Sequence, residues 1–301
     1  MSKSIRHHNL INDEYLPKAI YRFLLVSLNI DAILAEVTIH QRRKKLEEMT
    51  QGNGLSEAYT ATLARIKAQK GYKSVLGFKA LMWVLHSESP LQTEELCHAL
   101  GVEIGFADLD PEGVPALRIV LASCLGLITV EVSSSTVRLV HFTLQEYQSG
   151  HPTLFHNSHS AILEVCLTYV NFGFVRHLSP TLHRAPLTTP LLEYASVYWW
   201  RHTRRGGTEN IKILALRLLD RFDEHISIQL QYHCDWGAFF PQCFDKPEKL
   251  TGCTGLHGVA FFGIEEIFSA VLDMREWDVN TGDCTGNTAL TWAAKRGHNG
   301  Q

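Results

Sequence analysis

The C-terminal part of the chain contains a repeat whose two copies lie 34 residues apart. The run Thr254-Gly255-Leu256-His257 corresponds to Thr288-Ala289-Leu290-Thr291. Gly263 and Gly297 follow at the same distance from their respective threonines. A fixed period of about 20–50 residues is typical of repeat proteins, in which each unit buries its apolar face on the next. This region is therefore constrained to stack in units.

Residue types at fixed positions predict where the helices of each copy begin and end. Thr254 and Thr288 precede the apolar positions, where a hydroxyl can accept a hydrogen bond from a backbone N–H that the first helical turn leaves unpaired. Gly263 and Gly297 come where the helix must end in a left-handed residue. Each copy is predicted to contain one helix that begins after the threonine and ends at the glycine.

The apolar positions predict which face of each helix is buried. Leu256 and Ala260, and likewise Leu290 and Ala294, lie four residues apart and are expected to be buried between stacked helices. In the first copy, apolar residues of the segment 264–272 recur at spacings of three and four, which predicts an antiparallel partner helix. One unit is thus complete and a second is half present.

This pattern resembles the ankyrin repeat, which has a period of about 33 residues and a T-P-L-H opening. The departures are Gly255 and Ala289, where ankyrin repeats usually have proline, and Thr291, where they have histidine. The resemblance implies stacked helical hairpins that bind proteins. The residues that it assigns to the ankyrin structural motif are Thr254, Leu256, His257, Gly263, Thr288, Leu290 and Gly297.

The middle of the chain has the order of elements that is typical of a winged helix. Three predicted helices are followed by two short strands joined at the serine run 133–135. The second helix is expected to have Thr93 at its cap and acidic residues in its first turn, where the helix dipole favours them. The other elements are predicted at Phe78–Leu85, Ala116–Cys124, Leu127–Val132 and Thr136–Phe142.

The remaining strongly periodic segments are predicted to be helical, and the fold class is therefore mainly α. These segments are Ile20–Ile33, Leu55–Ile66, Ile162–Phe172, Leu191–Trp200 and Ile211–Phe222. The predicted domains are a helical linker at 1–72, a winged helix with a small β-hairpin at 73–150, a helical bridge at 151–250 and a truncated ankyrin solenoid at 251–301.

Composition argues against several classes of protein. Lys and Arg number 28 against 31 Asp and Glu, so the net charge of −3 does not favour nucleic acid or an anionic membrane. The seven cysteines are scattered, and Cys97, Cys124 and Cys166 lie in apolar runs, which predicts reduced, buried thiols. The longest apolar stretch, Ile119–Val130, is too short to cross a bilayer. We expect a protein of the cytoplasm or the nucleus.

The order of these parts is similar to the C-terminal portion of fungal NACHT-type signalling ATPases that carry ankyrin repeats. The middle module resembles the winged helix domain that is named after GPI inositol-deacylase, a name that denotes no activity here. In that family the winged helix couples the state of the ATPase to C-terminal sensor repeats. The segments that carry the resemblance are Phe23–Leu28, Pro90–Leu100, Arg138–Tyr147, Cys166–Tyr169 and Pro190–Ala195.

The resemblance implies a nucleotide-binding domain before the winged helix, with a phosphate loop of the form G-x-x-x-x-G-K-[ST]. The sequence lacks this motif. The chain is therefore expected to start after the ATPase core, not to be an enzyme and to hold no cofactor. The G-x-S-x-G motif of serine hydrolases and the H-E-x-x-H motif of metalloproteases are also missing from the sequence.

The resemblance places His141 at a nucleotide-sensing position. In related ATPases a histidine at the end of the winged-helix hairpin contacts the bound nucleoside diphosphate. Phe142 follows it, where related animal and plant proteins have aspartate. The alternative interpretation, which the residues themselves favour, is a half-buried histidine at the end of a strand that is hydrogen-bonded to backbone.

DNA binding is the first rival function. A winged helix that reads DNA needs cations on its third helix and at its wing. The third helix offers Arg118 alone, and the wing tip is Ser133–Ser135 flanked by Glu131. Nucleic acid is not expected as a partner.

Zinc binding is the second rival. Cysteine and histidine ligands of structural zinc usually come in regularly spaced pairs. The candidates here are irregularly spaced and lack paired C-x-x-C knuckles, so no metal site is predicted. They are His156, His159, Cys234, Cys243, Cys253 and His257.

The function predicted from the sequence is a non-catalytic protein-interaction and regulatory module of a NACHT/STAND-type signalling protein that lacks its ATPase domain. One alternative is a fragment that docks in trans onto a separate NACHT ATPase, and another is a winged-helix DNA-binding protein. The expected partners are proteins, bound through the ankyrin and helical surfaces. Membranes are not expected as partners.

Overall fold

The protein is mainly α-helical with one small antiparallel sheet, which confirms the predicted fold class. The predicted helix Ile20–Ile33 lies mostly outside the described residues, as do Cys234 and Cys243. The computed structural model describes residues 28, 30, 33–34, 36–51, 55–180, 182, 184–203, 209–220, 222–231, 252–274, 277–283 and 286–298.

Two helices with described bounds precede the winged helix. Helix α1 (Ile39–Gln51) contains a run of four basic residues, Arg42–Lys45, of which Arg43 and Lys44 are exposed to solvent. Helix α2 (Leu55–Lys67) buries the apolar positions that its periodicity predicts, including Tyr59 and Ile66. Because Tyr59 and Ile66 have no exposed surface at all, α2 belongs to the core that continues into the winged helix.

The winged helix has three helices followed by a two-stranded hairpin, in the predicted order. The strands pair antiparallel, with Ile128 opposite Leu139 and Glu131 opposite Thr136. Ser135 closes the hairpin at φ +54°. Its elements are α3 (Lys73–His86), α4 (Thr93–Gly101), α5 (Leu117–Ser123), β1 (Ile128–Glu131) and β2 (Thr136–Leu139).

The segment before α4 pairs with the second strand of this hairpin through backbone hydrogen bonds. The Val137 N–H donates to the Leu91 carbonyl at 2.8 Å, and the Thr93 N–H donates to the Ser135 carbonyl at 3.0 Å. The cap of α4 is consequently Gln92 rather than Thr93, and the prediction of a threonine cap was wrong. The Gln92 N–H donates to Glu95 at 2.7 Å, because pairing with the wing holds residue 92 in the extended conformation that an N-cap requires.

A helical region follows the wing, with its long helices close to the predicted segments. The pair α7 and α9 forms its centre, and Ile162, Cys166 and Trp199 on these helices have no exposed surface. Its helices are α6 (Thr143–Ser149), α7 (Ser158–Val170), α8 (Gly173–Arg176), α9 (Leu191–Thr203), α10 (Glu209–Asp220) and α11 (Ile226–Gln231).

The C-terminal repeat forms three helices, α12 (Gly255–Phe262), α13 (Glu265–Met274) and α14 (Ala289–Arg296). Thr254 and Thr288 are the N-caps of α12 and α14, as predicted. Gly263 and Gly297 end these helices at φ +64° and +74°, so the predicted left-handed residues are confirmed. The repeat is thus visible in backbone conformation as well as in sequence.

An aromatic cluster joins the repeat to the helices before it. Phe262 of α12 lies with its ring 5.7 Å from the ring of Trp199 and 5.4 Å from that of Trp200, both on α9. On the other side of α12, the ring of Phe261 lies 5.4 Å from that of Trp292 on α14. One continuous hydrophobic core therefore contains residues from all four predicted domains, and the predicted boundaries stay predictions.

The buried face of α14 differs from the predicted one. Leu290 is 70% exposed and Ala294 is also exposed, whereas Ala289 and Ala293 are buried against Leu256. The reason is that the Leu256 face of α12 is covered by α14, while no element among the described residues covers the corresponding face of α14. Leu272 on α13 is likewise 40% exposed.

The described cysteines are free thiols and buried, which confirms the prediction for Cys97, Cys124 and Cys166. Burial raises the pKa of Cys124 to about 12. In the part of the chain that the structure describes, no helix combines the length and hydrophobicity needed to span a bilayer.

Replacement of Gly258 by alanine tests the packing of the repeat on the preceding helices. A Cβ at this position would overlap the ring of Phe222, which has 1% exposed surface. A Gly→Ala change inside a helix normally stabilises by about 0.5–1 kcal/mol. We expect Gly258→Ala instead to lower the free energy of unfolding by about 1–3 kcal/mol, because the ring must move. Urea unfolding followed by tryptophan fluorescence measures the change.

The matched control is Gly150→Ala. Gly150 has φ −76°, and an added Cβ would make ordinary van der Waals contacts, 3.4 Å from the Tyr147 carbonyl oxygen and 4.0 Å from that of Glu146. We expect this variant to stay within about 0.5 kcal/mol of the wild type. Equal stability of the two variants would contradict the packing described for α12.

Candidate functional site

A polar network of the repeat is centred on His257, a residue of α12 with 1% exposed surface. The Thr254 N–H donates to His257 Nδ1 at 3.1 Å, and the Thr254 hydroxyl lies 2.8 Å from the same nitrogen. His257 Nε2 lies 3.1 Å from the Thr281 carbonyl oxygen and 3.2 Å from the Asn287 carbonyl oxygen. The imidazole therefore ties the start of α12 to the turn that precedes α14.

These partners fix the protonation of the ring. Because Nδ1 accepts a backbone N–H, the proton must lie on Nε2, where two carbonyl oxygens can accept it. Burial lowers the pKa of His257, against the raising effects of the Asn287 carbonyl and of Asp283. The neutral imidazole is thus the form that the fold selects.

The turn before α14 is itself held by hydrogen bonds. The Asp283 N–H donates to the Asn287 carbonyl at 2.9 Å, and the Asn287 N–H donates to Asp283 Oδ1 at 2.9 Å. Trp292 Nε1 donates to Asp283 Oδ2 at 2.7 Å. Gly286 adopts φ +77° in this turn, and Gly252 adopts φ +85° at the equivalent position of the first copy.

The second copy replaces the histidine by Thr291, and the contact changes accordingly. Thr291 N–H donates to the Thr288 hydroxyl at 3.3 Å, so the helix cap is kept. The short threonine side chain makes its hydrogen bond locally, with its hydroxyl 3.1 Å from that of Thr288. The structure therefore brings Thr254 and His257 together with the next turn, whereas Thr288 and Thr291 serve their own helix.

The winged-helix surface carries little positive charge among the described residues. Helix α5, the third helix of the module, exposes Arg118, Ile119 and Ala122. On the wing, Arg138 is paired with Glu131 at 2.7 Å, which neutralises its charge locally. A surface of this kind suits an uncharged partner better than a phosphate backbone.

His141 lies half-buried just after strand β2. Its Nδ1 accepts the Thr143 N–H at 3.3 Å and lies 3.0 Å from the Thr143 hydroxyl, which in turn lies 2.8 Å from the Tyr59 hydroxyl. The ring also packs against Phe142, with centroids 4.3 Å apart. His141 thus helps to begin helix α6, as the alternative interpretation from sequence holds, and its role in nucleotide sensing stays a prediction.

A cavity that the sequence analysis did not find lies between α4 and the loop before α5. It has a volume of 890 Å³, and Cys97, His98 and Phe174 contribute to its lining. Burial raises the pKa of the Cys97 thiol and lowers that of the His98 imidazole. His98 Nδ1 is already within 3.0 Å of the Tyr169 hydroxyl. A protonated thiol beside a neutral imidazole is poorly suited to nucleophilic catalysis.

Sequence reasoning missed a second grouping, in which Glu88, His159 and His202 come together. The three are far apart along the chain, so their spacing carries no signal. His159 is among the zinc candidates from the sequence, but the others do not include Glu88 or His202, and His156 is exposed to solvent. The signal that the sequence does offer is that His202 follows directly on the predicted apolar helix Leu191–Trp200.

Comparison with known families supports the winged helix. Residues 63–161, about one third of the chain, match the family described as GPI inositol-deacylase, winged helix domain. The match begins within α2 and ends within α7, so it extends beyond the predicted module at both sides. Comparisons with curated proteins and with solved structures gave no match.

Replacement of His257 by asparagine tests the neutral histidine. The lowered pKa means that the unfolded chain binds more protons than the folded chain once the pH falls below the unfolded value of about 6.5. Part of the wild-type stability is therefore lost on acidification through that value. His257→Asn keeps an acceptor for the Thr254 N–H, and we expect a smaller loss between about pH 7.5 and pH 5.5.

At about pH 7.5 the His257→Asn variant should itself be less stable by about 1–3 kcal/mol, because the hydrogen bonds to Thr281 and Asn287 are lost. The exposed His177 provides the control, since His177→Asn should keep the wild-type dependence on pH. Urea unfolding at several pH values checks both. An unchanged pH dependence in His257→Asn would show that the ring is not held neutral.

Proposed function

We propose that the protein is a non-catalytic interaction and regulatory module of a NACHT/STAND-type signalling protein of the fungal kind. In this proposal the winged helix contacts an ATPase domain, and the C-terminal helices are the first units of an ankyrin array that senses a protein ligand. The chain transmits the state of one to the other, in the cytoplasm or the nucleus.

The observation that carries the proposal is the unbroken apolar contact between the winged helix and the repeat. Trp83 of the winged helix lies 5.7 Å from Tyr194 of α9, ring to ring. Six residues along, the same helix presents Trp200 to Phe262 of the repeat. A packed element that contacts both modules can transmit a displacement, because close-packed interiors move as units.

The ankyrin assignment is supported by geometry at equivalent positions 34 residues apart. Both copies have a threonine cap, a left-handed glycine at the helix end and a left-handed glycine in the turn before the cap. The bond from His257 to the Asn287 carbonyl also links one unit to the next. These are the contacts that a stacked helical array needs, since each unit is stabilised by its neighbour.

The absence of catalysis and of DNA binding belongs to the proposal. The cavity thiol Cys97 has a raised pKa, and the sequence holds no phosphate loop. The exposed face of α5 offers one arginine among the described residues, and the wing arginine is paired. Both features favour a protein partner over a nucleic acid or a reacting substrate.

Binding to a NACHT domain tests the proposal. The full chain is immobilised and a recombinant NACHT domain from a fungal ankyrin-repeat ATPase is passed over it, without nucleotide and with ADP. We expect ADP to change the affinity by at least about fivefold, the size of a typical coupling between sites. Biolayer interferometry measures both affinities.

Two variants locate the contact. His141→Ala should reduce the effect of ADP, whereas His151→Ala, which alters an exposed histidine beyond helix α6, should leave it unchanged. Binding that does not respond to ADP would favour a simple scaffold over a regulatory module. Tight, saturable binding of the separate domain would favour docking in trans, and no binding at all would contradict the proposed ATPase contact.

A further inference from the structure

We propose that Glu88, His159 and His202 form a site for a zinc ion. Each of the three side chains offers one ligand atom, and these atoms lie within 4.8 Å of one another. Two imidazoles and one carboxylate make up a ligand set that zinc commonly takes in proteins. The sequence predicted no metal, because the three residues come from separate elements.

The imidazoles of His159 and His202 already bring their Nδ1 atoms together. His159 Nδ1 lies 2.8 Å from His202 Nδ1. Two lone pairs at this distance repel, so a single proton must lie between the nitrogens when no metal is bound. When a zinc ion takes the place of this proton, the proton moves to Nε2 of His159 or to solvent, and both Nδ1 lone pairs bind the ion.

The change of geometry that zinc requires is small. Zinc–nitrogen bonds of about 2.0–2.1 Å in a tetrahedral site place the two nitrogens about 3.3 Å apart, so the pair must open by about 0.5 Å. His159 is only half-buried and lies in the first turn of α7. Glu88 is also half-buried, and rotation of its side chain brings a carboxylate oxygen to the ion.

A second set of contacts orients the site. With zinc on Nδ1 of His202, the proton of that ring lies on Nε2, and the Tyr194 hydroxyl oxygen 3.3 Å away accepts it. The same oxygen accepts the Glu88 N–H at 3.0 Å. The buried Tyr194 hydroxyl thus contacts both the loop that carries Glu88 and the ring of His202. Such outer partners fix the tautomer and the direction of metal-ligating histidines.

The site is enclosed on one side and open on the other. His202 has no exposed surface, and Tyr194 has 2%. The ring of His86 lies 5.4 Å from that of His159 and covers its edge. Three protein ligands leave a fourth zinc position for water, which can enter past the half-buried Glu88 and His159.

A zinc ion at this position would connect separate parts of the fold. Glu88 follows the first helix of the winged helix, His159 lies in the first turn of α7 and His202 in the last turn of α9. An ion held by all three connects the winged helix to the helical region behind it.

Direct zinc binding by tag-free, full-length protein tests the site. The chain is stripped with a chelator, loaded with zinc sulfate and desalted. We expect it to retain about one zinc per chain by mass spectrometry of the metal content. Zinc in excess should also raise the melting temperature by roughly 5–10 °C, since an ion that binds only the folded chain stabilises it.

Two ligand variants, one variant of the outer partner and one control test the assignment, and the fully buried His202 is left unaltered. His159→Gln and Glu88→Gln should each weaken zinc binding by more than about 100-fold, and Tyr194→Phe by about 10–100-fold. His156→Gln is the matched control, because this exposed histidine lies three residues before His159 and should bind zinc as the wild type does. Circular dichroism establishes that each variant is folded.

Two outcomes overturn the proposal. One is a wild-type chain that retains no zinc. In that case His159 and His202 would share a proton and bind no metal. The other is a folded His159→Gln chain that retains as much zinc as the wild type, which would move the metal to other cysteine or histidine residues of the chain.

Discussion

The contact between Phe262 and the two tryptophans of α9 is the interaction on which the arrangement of the molecule depends. Phe262 has 1% exposed surface and Trp199 has none, so both are removed from water only if α12 lies against α9. A buried side chain of this size contributes about 1.5–3 kcal/mol to folding. Two helical units cannot easily sustain a solenoid of their own, and this cluster supplies the missing neighbour.

Much of the fold could be predicted because its periodicities are local. Helix α2 buries the positions that recur at helical spacing, and the threonines and glycines of the repeat mark true helix ends. The prediction failed at Thr93 and at Leu290, where the outcome depends on what packs nearby. Gln92 became the cap because the wing pairs with the segment before α4, and Leu290 is exposed because α14 is covered on one side only among the described residues.

The candidate sites could be predicted less well, for the same reason. His257 was named from its place in the repeat, and its hydrogen bonds run to Thr281 and Asn287, which lie 24 and 30 residues further along the chain. Glu88, His159 and His202 meet only because α3, α7 and α9 pack together, which no spacing along the chain reveals. His141 illustrates a third case, since its Nδ1 is used to start a helix, and this local bond does not exclude a further role for the rest of the ring.

The face of α14 that no described element covers has a consequence for how such a chain can change in evolution. Leu290 and Ala294 occupy the positions that Leu256 and Ala260 occupy in the first copy, where α14 covers them. Duplication of a 34-residue segment would therefore supply a helix that fits this face, with every existing contact left in place. A domain without an exposed apolar helix face has no surface on which a further unit could stack. The number of copies of this 34-residue repeat can thus vary by whole units, while the aromatic contact of the first copy with α9 stays fixed.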